Sequence, residues 1–314
     1  MKIKTIKKVL QKKFDNWVES ITDEDLRKQV ENGTIITGGC IASMLLKEEV
    51  NDYDVYFRSK ELTVAVAWYY IKQLKPKMTN GIECPMRVDS TGDRVRIVIQ
   101  SSGIASESGT EKGYEYFESR PDDAAGEYVG DVIRNPGEIE DTYQETENKA
   151  LATENEEGKP KYRPVFATTN AITLSDRIQI VMRFYGEPDS IHENYDYVHC
   201  TNYWSSWDGK LALRQEALES LLSKELRYVG SKYPVCSVIR LRKFLTRQWT
   251  INAGQILKIL MQINDLDLTD PKVLEDQLTG VDSAYFCQLI SKLKEKDPEK
   301  VNTAYLVEII DRIF

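Results

Sequence analysis

The stretch GTIITGGCIASMLLKEEVNDYDVYF, Gly33 to Phe57, decides how the chain is read. "TIITGG" (34–39) is a short apolar, β-branched run closed by two glycines, the pattern of a buried strand entering a tight turn. "CIASMLL" (40–46) reads as a helix, and "DYDVYF" (52–57) alternates as a second strand does. Its two aspartates, Asp52 and Asp54, stand at i and i+2 and so share one face. Two bare carboxylates that close repel each other, and one would be driven neutral. A hard divalent cation removes that conflict, and Mg²⁺ prefers a few carboxylates together with phosphate oxygens. Gly38 and Gly39 ahead of a helix start let backbone N–H groups approach phosphate, while the helix N-terminus adds partial positive charge. Ser43, read as lying in the first turn or so, adds a hydroxyl. Each part alone is common: a GG pair is usually a turn, and a lone DxD is usually surface decoration. Their order is what points to phosphate and metal.

Working outward, residues 1–31 read as helical, with Ile3, Ile6, Val9, Leu10, Phe14 and Trp17 on one face. Thr22 with Asp25 resembles a capping signal for a second short helix. A helix opened by Ser59 is expected over 59–74, and an alternating strand over 93–101. Residues 103–160 are rich in Glu, Asp, Gly and Asn and read as a solvated acidic insertion, partly ordered around Tyr114, Tyr116, Phe117 and Tyr128. Its plain reading is a charged surface excursion; the competing one is a protein-binding element. Strand signals return over 163–204, in "RPVFATTNAITLS", "RIQIVMRFY" and "NYDYVHCTNYW". Helical patterns follow over roughly 211–226, 234–248, 252–263, 271–278, 283–294 and 299–313. The expected architecture is α+β: N-terminal helices over 1–32, a mixed-sheet head over 33–207 carrying the 103–160 insertion, and an all-helical domain over 208–314.

Bulk properties narrow the function. The net charge of −8 over 314 residues argues against a nucleic-acid coat that works by total charge, though not against a local basic groove. No window is long and apolar enough for a membrane span. The basic N-terminus lacks the apolar region and cleavage site of a secretory signal. Cys40, Cys84, Cys200, Cys236 and Cys287 are scattered and odd in number, consistent with reduced thiols in a cytoplasmic setting. His192 and His199 are too few for a structural zinc site.

The arrangement resembles the nucleotidyltransferase motif of the DNA polymerase β superfamily. More narrowly it is similar to the head of class I tRNA CCA-adding enzymes and bacterial poly(A) polymerases, whose pattern is GGxVRDxLL followed by DxD. Gly38, Gly39, Leu45, Leu46, Asp52 and Asp54 match; Ala42 and Ser43 stand where that family has Arg and Asp. "NYDYVHCTNY" (194–203) resembles the RRDFTINAL strand around Asp196, with Glu193 and Asn194 in place of the arginine pair. "KELRYVGSKYP" and "VIRLRKF" resemble the LR..G and DPLRxLRxxRF segments through Arg227, Arg240, Lys243 and Phe244. The resemblance spans about 33–57 and 176–250. It is also shared, more loosely, with nucleotidyltransferase-like proteins of bacteriophages, which would act in the host cytoplasm or in the particle.

That resemblance implies template-independent transfer of a nucleoside monophosphate from an NTP to a hydroxyl. It implies two Mg²⁺ ions on Asp52 and Asp54 with Asp196 as third ligand. Gly38, Gly39 and Ser43 would cradle the triphosphate, and Arg240 and Lys243 would neutralise it or position the base. The implied acceptor is an RNA such as a tRNA 3′ end, with a protein hydroxyl as the outside option. Pro234 and Ser237 occupy the base-reading positions, so true CCA addition is not expected. Gln179 falls where the family has its third carboxylate, which is why Asp196 is taken as the substitute; a structural hydrogen bond beside Tyr195 and Tyr197 is the competing reading. Glu83 and Asp93 are poorer candidates. The alternative function is a nucleotide- or RNA-binding or structural protein that keeps the fold without turnover.

The remaining features read mostly as structure. Arg242 and Arg247 suit a triphosphate or RNA backbone as well as a solvated helix face, and Lys7, Lys8, Lys12 and Lys13 suit a solvated face better than a basic face for RNA. Tyr203, Trp204, Trp207 and Trp249 suit a core better than base stacking, and His199 suits a satisfied strand histidine. Leu257, Leu260, Ile263 and Leu266 suit an ordinary helical core stripe.

Overall fold

The computed structural model describes residues 2–73, 86–99, 161–167 and 170–268, together with Val273 and Gln277. The acidic stretch 103–160, Glu83, Cys84, Cys287 and the helices expected over 283–294 and 299–313 lie outside the described residues, as does most of 271–278.

Two helices, α1 (Ile3–Glu19) and α2 (Glu24–Gly33), lead into strand β1 (Thr34–Thr37), helix α3 (Gly39–Leu46), strand β2 (Tyr53–Phe57) and helix α4 (Lys60–Ile71). Ser59 caps α4 as expected, its Oγ accepting from Leu62 N–H at 3.2 Å. The cap of α2 is Asp23, which accepts from Leu26 N–H at 3.0 Å, and not Thr22. Strands β3 (Met86–Asp89) and β4 (Arg96–Ile99) form a separate antiparallel pair. Then come β5 (Pro164–Ala167), β6 (Ala171–Leu174), β7 (Ile178–Val181), the short helix α5 (Pro188–His192), β8 (Tyr203–Ser205) and β9 (Lys210–Ala212). Seven strands make one sheet in the order β5-β6-β7-β2-β1-β8-β9. Neighbours are antiparallel except β7 and β2, which run parallel.

Alternation divides the sheet into two faces. Ile36, Val55, Phe57, Ile172, Leu174, Ile178, Ile180 and Trp204 point into the main core beneath α1–α4. From α1, Ile6, Leu10, Phe14 and Trp17 fill the same core, each within one turn of the next. Full burial of such a side chain contributes about 1.5–3 kcal/mol, so this layer supplies much of the driving force. Phe14 packs on Trp204 with ring centroids 5.1 Å apart, and Trp17 Nε1–H donates to the Tyr70 hydroxyl at 2.8 Å, tying α1 to α4. A side chain at Gly33 would meet Leu62 at 2.6 Å, so α2 and α4 touch there. The N-terminal helices are therefore the cover of the sheet, not a unit apart.

The head also extends further than 207, because β9 is its edge strand. Beyond it lie α6 (Gln215–Ser223), β10 (Glu225–Leu226), α7 (Pro234–Thr246), β11 (Thr250–Ile251) and α8 (Ala253–Asn264). The expectation of an all-helical region fails here, since β10 and β11 pair in parallel. Lys224 at φ 51° and Gln248 at φ 63° end α6 and close the turn after α7. In α8 only Ile259 is fully buried; of the expected core stripe, Leu257 is 57% and Leu260 51% exposed, while Ile263 packs against the core with Tyr228 and Trp249.

The segment 194–200 is not a strand. Val198–Cys200 is a 3-10 turn, held by Thr201 Oγ1–H donating to Val198 O at 2.7 Å, and Tyr197 makes a single bridge to Tyr228. His199 sits on this turn, enclosed by Tyr197, Phe244 and Trp249, as a core residue.

Candidate functional site

The second face of the sheet carries Ile35, Thr37, Asp54, Tyr56, Gln179, Val181 and Tyr203. At its centre the chain turns from β1 into α3. Gly38 adopts φ 90° and ψ −149°, a conformation essentially reserved for glycine. Its N–H donates to Cys200 O at 3.2 Å, so this group is committed to the fold and not to a ligand. Thr37 and Asp54 are register partners, which brings the Asp54 carboxylate onto the corner. A Cβ at Gly38 would lie 2.6 Å from Asp54 Oδ2 and 3.6 Å from the Tyr195 hydroxyl oxygen. A Cβ at Gly39 would meet no atom within 4 Å. Gly39 opens α3, whose first-turn N–H groups have no carbonyl within the helix to bond. Asp52 immediately precedes β2, and both aspartates are half-buried.

Across the strands, Thr173, Gln179, Asp54, Thr37 and Tyr203 form one row of register partners. Gln179 thus stands one strand spacing from Asp54, about 4.8 Å, on the same face. The parallel β2–β7 register thus sets a neutral amide, not a carboxylate, beside Asp54.

The corner is electronegative. The Cys40 thiol is pushed well above its ordinary range, first by burial and then by the charges of Asp54 and Asp52. Cys200 is pushed up to about 12, again by burial first and then by Asp54 and Asp196. Tyr56, two residues after Asp54, is raised by burial and then by Asp54. These groups stay neutral, which leaves the carboxylates to set the local potential. Thr37 Oγ1–H donates to Asn202 O at 2.9 Å, so His192 Nε2–H donates to Thr37 Oγ1 at 2.8 Å, a tautomer assigned from the hydrogen-bond network. Burial, with Arg214 second, depresses the His192 pKa to about 3, so that imidazole is neutral too.

Asp196 does not complete a carboxylate cluster. Its side chain is buried; Ser237 Oγ–H donates to Oδ1 at 2.9 Å, and the Arg240 guanidinium pairs with Oδ2. Tyr197 O–H donates to Ser237 O at 2.8 Å. Among the described residues no group of three or more His, Cys, Asp or Glu is placed to hold a metal ion. Through these bonds Asp196 fastens the 195–200 turn to α7. Arg240, half-exposed, is held by it, and its charge acts on Tyr56 and Cys200 beside the aspartates.

Other expected site residues fall further out. Ser43 stands at the start of the second turn of α3, about 6 Å along the axis from Gly39. Lys243 is exposed in the last turn of α7, as are Arg242 and Arg247 nearby. Trp204 and Trp249 are core, while Trp207 lies under Arg58 at 4.3 Å. Reading the sequence missed Tyr56, Tyr195, Cys40 and Cys200 around the corner. It also missed buried Arg183, stacked 3.6 Å over the Tyr233 ring at the start of α7. Cys40 and Tyr56 adjoin the corner in the chain, whereas Tyr195 and Cys200 reach it through tertiary packing that no local pattern marks.

No helix among the described residues is long and apolar enough to cross a membrane. Comparison with solved structures finds a tRNA-processing enzyme at 11% identity and TM-score 0.39, covering 95% of this chain and 55% of that one. It also finds the Bacillus stearothermophilus CCA-adding enzyme in complex with CTP, at 10% identity and TM-score 0.35, covering 89% of this chain and 52% of that one. A protein of Bacillus phage SPbetaL7, "Gabija anti-defense 2", is 20% identical over 128 residues, 40% of this chain and 32% of that protein. The chain thus matches only about a third of its relative's length. The Gabija anti-defense 2 family matches residues 8–224, more than half of the chain, and the chain belongs to that family.

Proposed function

We propose that this member of the Gabija anti-defense 2 family counters the host's Gabija defence as a nucleotidyltransferase, moving a nucleoside monophosphate from an NTP to a hydroxyl. The observation that carries the reading is the packing of the Asp54 carboxylate against positive-φ Gly38 at the start of α3, with Asp52 two residues away. There acidic side chains, glycine backbone and a helix N-terminus converge.

Asp52 and Asp54 would hold a magnesium ion, which when bound supplies the positive charge that a triphosphate needs beside two carboxylates. The first-turn N–H groups of α3, beginning at Gly39, face the same corner and suit phosphate oxygens. Arg240, oriented by Asp196, adds a fixed cation, and exposed Lys243 adds longer-range attraction for an RNA backbone. In the transfer, the acceptor oxygen bonds to the α-phosphorus as the bond to the bridging oxygen breaks. Pyrophosphate leaves, and the acceptor's proton passes to solvent. The acceptor is an RNA 3′ end or a hydroxyl on a component of the defence system. Neutral Gln179 beside Asp54 favours a second reading, in which the site holds nucleotide without turning it over.

The test incubates the purified chain with Mg²⁺ and each α-labelled NTP, in parallel with total tRNA and with purified Gabija components. Label transfer that disappears in Asp52→Ala/Asp54→Ala supports the transferase. Binding without transfer supports the holding reading. Neither binding nor transfer overturns both.

A further inference from the structure

We infer that the nucleotide site takes one divalent ion, not two, and that Gln179 is the residue that sets this number. The inference rests on the nucleotide-site reading above and concerns the same corner.

The floor of the corner is the row Gln179–Asp54–Thr37, fixed by parallel pairing of β7 with β2 and antiparallel pairing of β2 with β1. A side chain that shared an ion with Asp54 across the sheet would come from its register partner on β7, which is Gln179, or on β1, which is Thr37. Both are neutral. Asp196, whose charge also acts on Cys200, has one oxygen accepting from Ser237 and the other paired with Arg240. No third acidic, thiol or imidazole ligand joins Asp52 and Asp54 among the described residues.

Two divalent ions about 4 Å apart repel four times as strongly as two unit charges at that distance. Bridging carboxylates are what make such a pair tolerable, and here the described residues supply only two. One ion held by Asp52, Asp54 and phosphate oxygens meets the usual demand of Mg²⁺. A second would rest on an uncharged amide. The acceptor hydroxyl therefore enters without an ion of its own to acidify it.

The experiment titrates Mn²⁺ into the full chain with a non-hydrolysable α,β-methylene ATP and reads stoichiometry and spin coupling by electron paramagnetic resonance. The variants are Gln179→Glu, which is isosteric, and Asp54→Ala. One uncoupled Mn²⁺ per wild-type chain is expected, with two coupled ions in Gln179→Glu and no nucleotide-dependent ion in Asp54→Ala. Circular dichroism of each variant establishes that it is folded. Two coupled ions in the wild type, or no second ion in folded Gln179→Glu, overturn the inference and leave the nucleotide reading standing. No nucleotide-dependent ion in the wild type overturns the nucleotide reading and the inference with it.

Discussion

Gly38→Ala and Gly39→Ala are adjacent substitutions with opposite expected outcomes. At Gly38 the backbone holds φ 90° and ψ −149°, and an added Cβ would lie 2.6 Å from Asp54 Oδ2. Forcing alanine into that conformation costs about 1–3 kcal/mol, and the steric conflict adds about 1–3 more. A total of about 2–6 kcal/mol is a large part of the about 5–15 kcal/mol that holds a domain folded. The molecule can relieve the conflict only by swinging Asp54 off the corner or by loosening the β1–α3 turn, whose N–H bonds Cys200 O. Either escape removes a carboxylate from the place where phosphate and ion would meet. At Gly39 an added Cβ meets nothing within 4 Å, and the residue already begins a helix. There alanine should be neutral or stabilise by up to about 1 kcal/mol. Urea unfolding followed by circular dichroism measures the first quantity, and calorimetry with Mg·ATP the second. Wild-type stability in Gly38→Ala, or equal damage from the two substitutions, would refute the account of the corner.

Three further outcomes are expected. His192 and His199 have pKa values depressed to about 3 and about 4, chiefly by burial, against an unfolded value near 6.5. The unfolded chain binds these protons first, so their stabilisation is complete above about 6.5 and lost as pH falls toward 4 and 3. Each contributes a slope of up to about 1.4 kcal/mol per pH unit in that window, and His199→Phe, within its aromatic enclosure, should flatten the pH dependence of the urea midpoint. An unchanged dependence in the variant refutes the assignment. Tyr70→Phe leaves the buried Trp17 N–H without its 2.8 Å acceptor and should cost about 1–3 kcal/mol, read by tryptophan fluorescence during unfolding. Ser237→Ala removes the donor to Asp196 Oδ1 and should lower stability by a similar about 1–3 kcal/mol; a wild-type thermal midpoint would show that the Ser237–Asp196 bond holds nothing.

The corner was legible because its parts are consecutive. A β-branched strand, two glycines, an apolar helix and a strand opening on DxD are each local patterns, and between 33 and 57 the chain folds them against one another. Which glycine is indispensable was not legible, since both are simply Gly until backbone angles and the neighbouring carboxylate are known. The sheet order was not legible either. Asp54 meets Gln179 through a parallel pairing across more than a hundred residues, and nothing in either strand names its partner. The reading of "NYDYVHC" as a strand followed its alternation, but turn bonds closed by Thr201 and a single Tyr197–Tyr228 bridge prevail over it. β9, β10 and β11 were overlooked because two- or three-residue strands carry too little alternation to be seen.

The fate of Asp196 follows from competition for its two oxygens. For it to ligate an ion beside Asp54, Oδ2 would have to release Arg240, or Oδ1 would have to release Ser237. Arg240 is 42% exposed, so solvent could take over part of its solvation, whereas Asp196 is only 7% exposed and depends on its protein partners. Ser237 is fully buried on α7, and its own carbonyl accepts from Tyr197, so the helix cannot retreat without breaking that bond as well. The carboxylate is therefore worth more where it is. It turns an exposed arginine into a fixed cation at the edge of an acidic corner, and it takes one negative charge out of a place where Asp52 and Asp54 already repel. A nucleotide's phosphates entering that corner would meet an oriented guanidinium on one side and the start of α3 on the other.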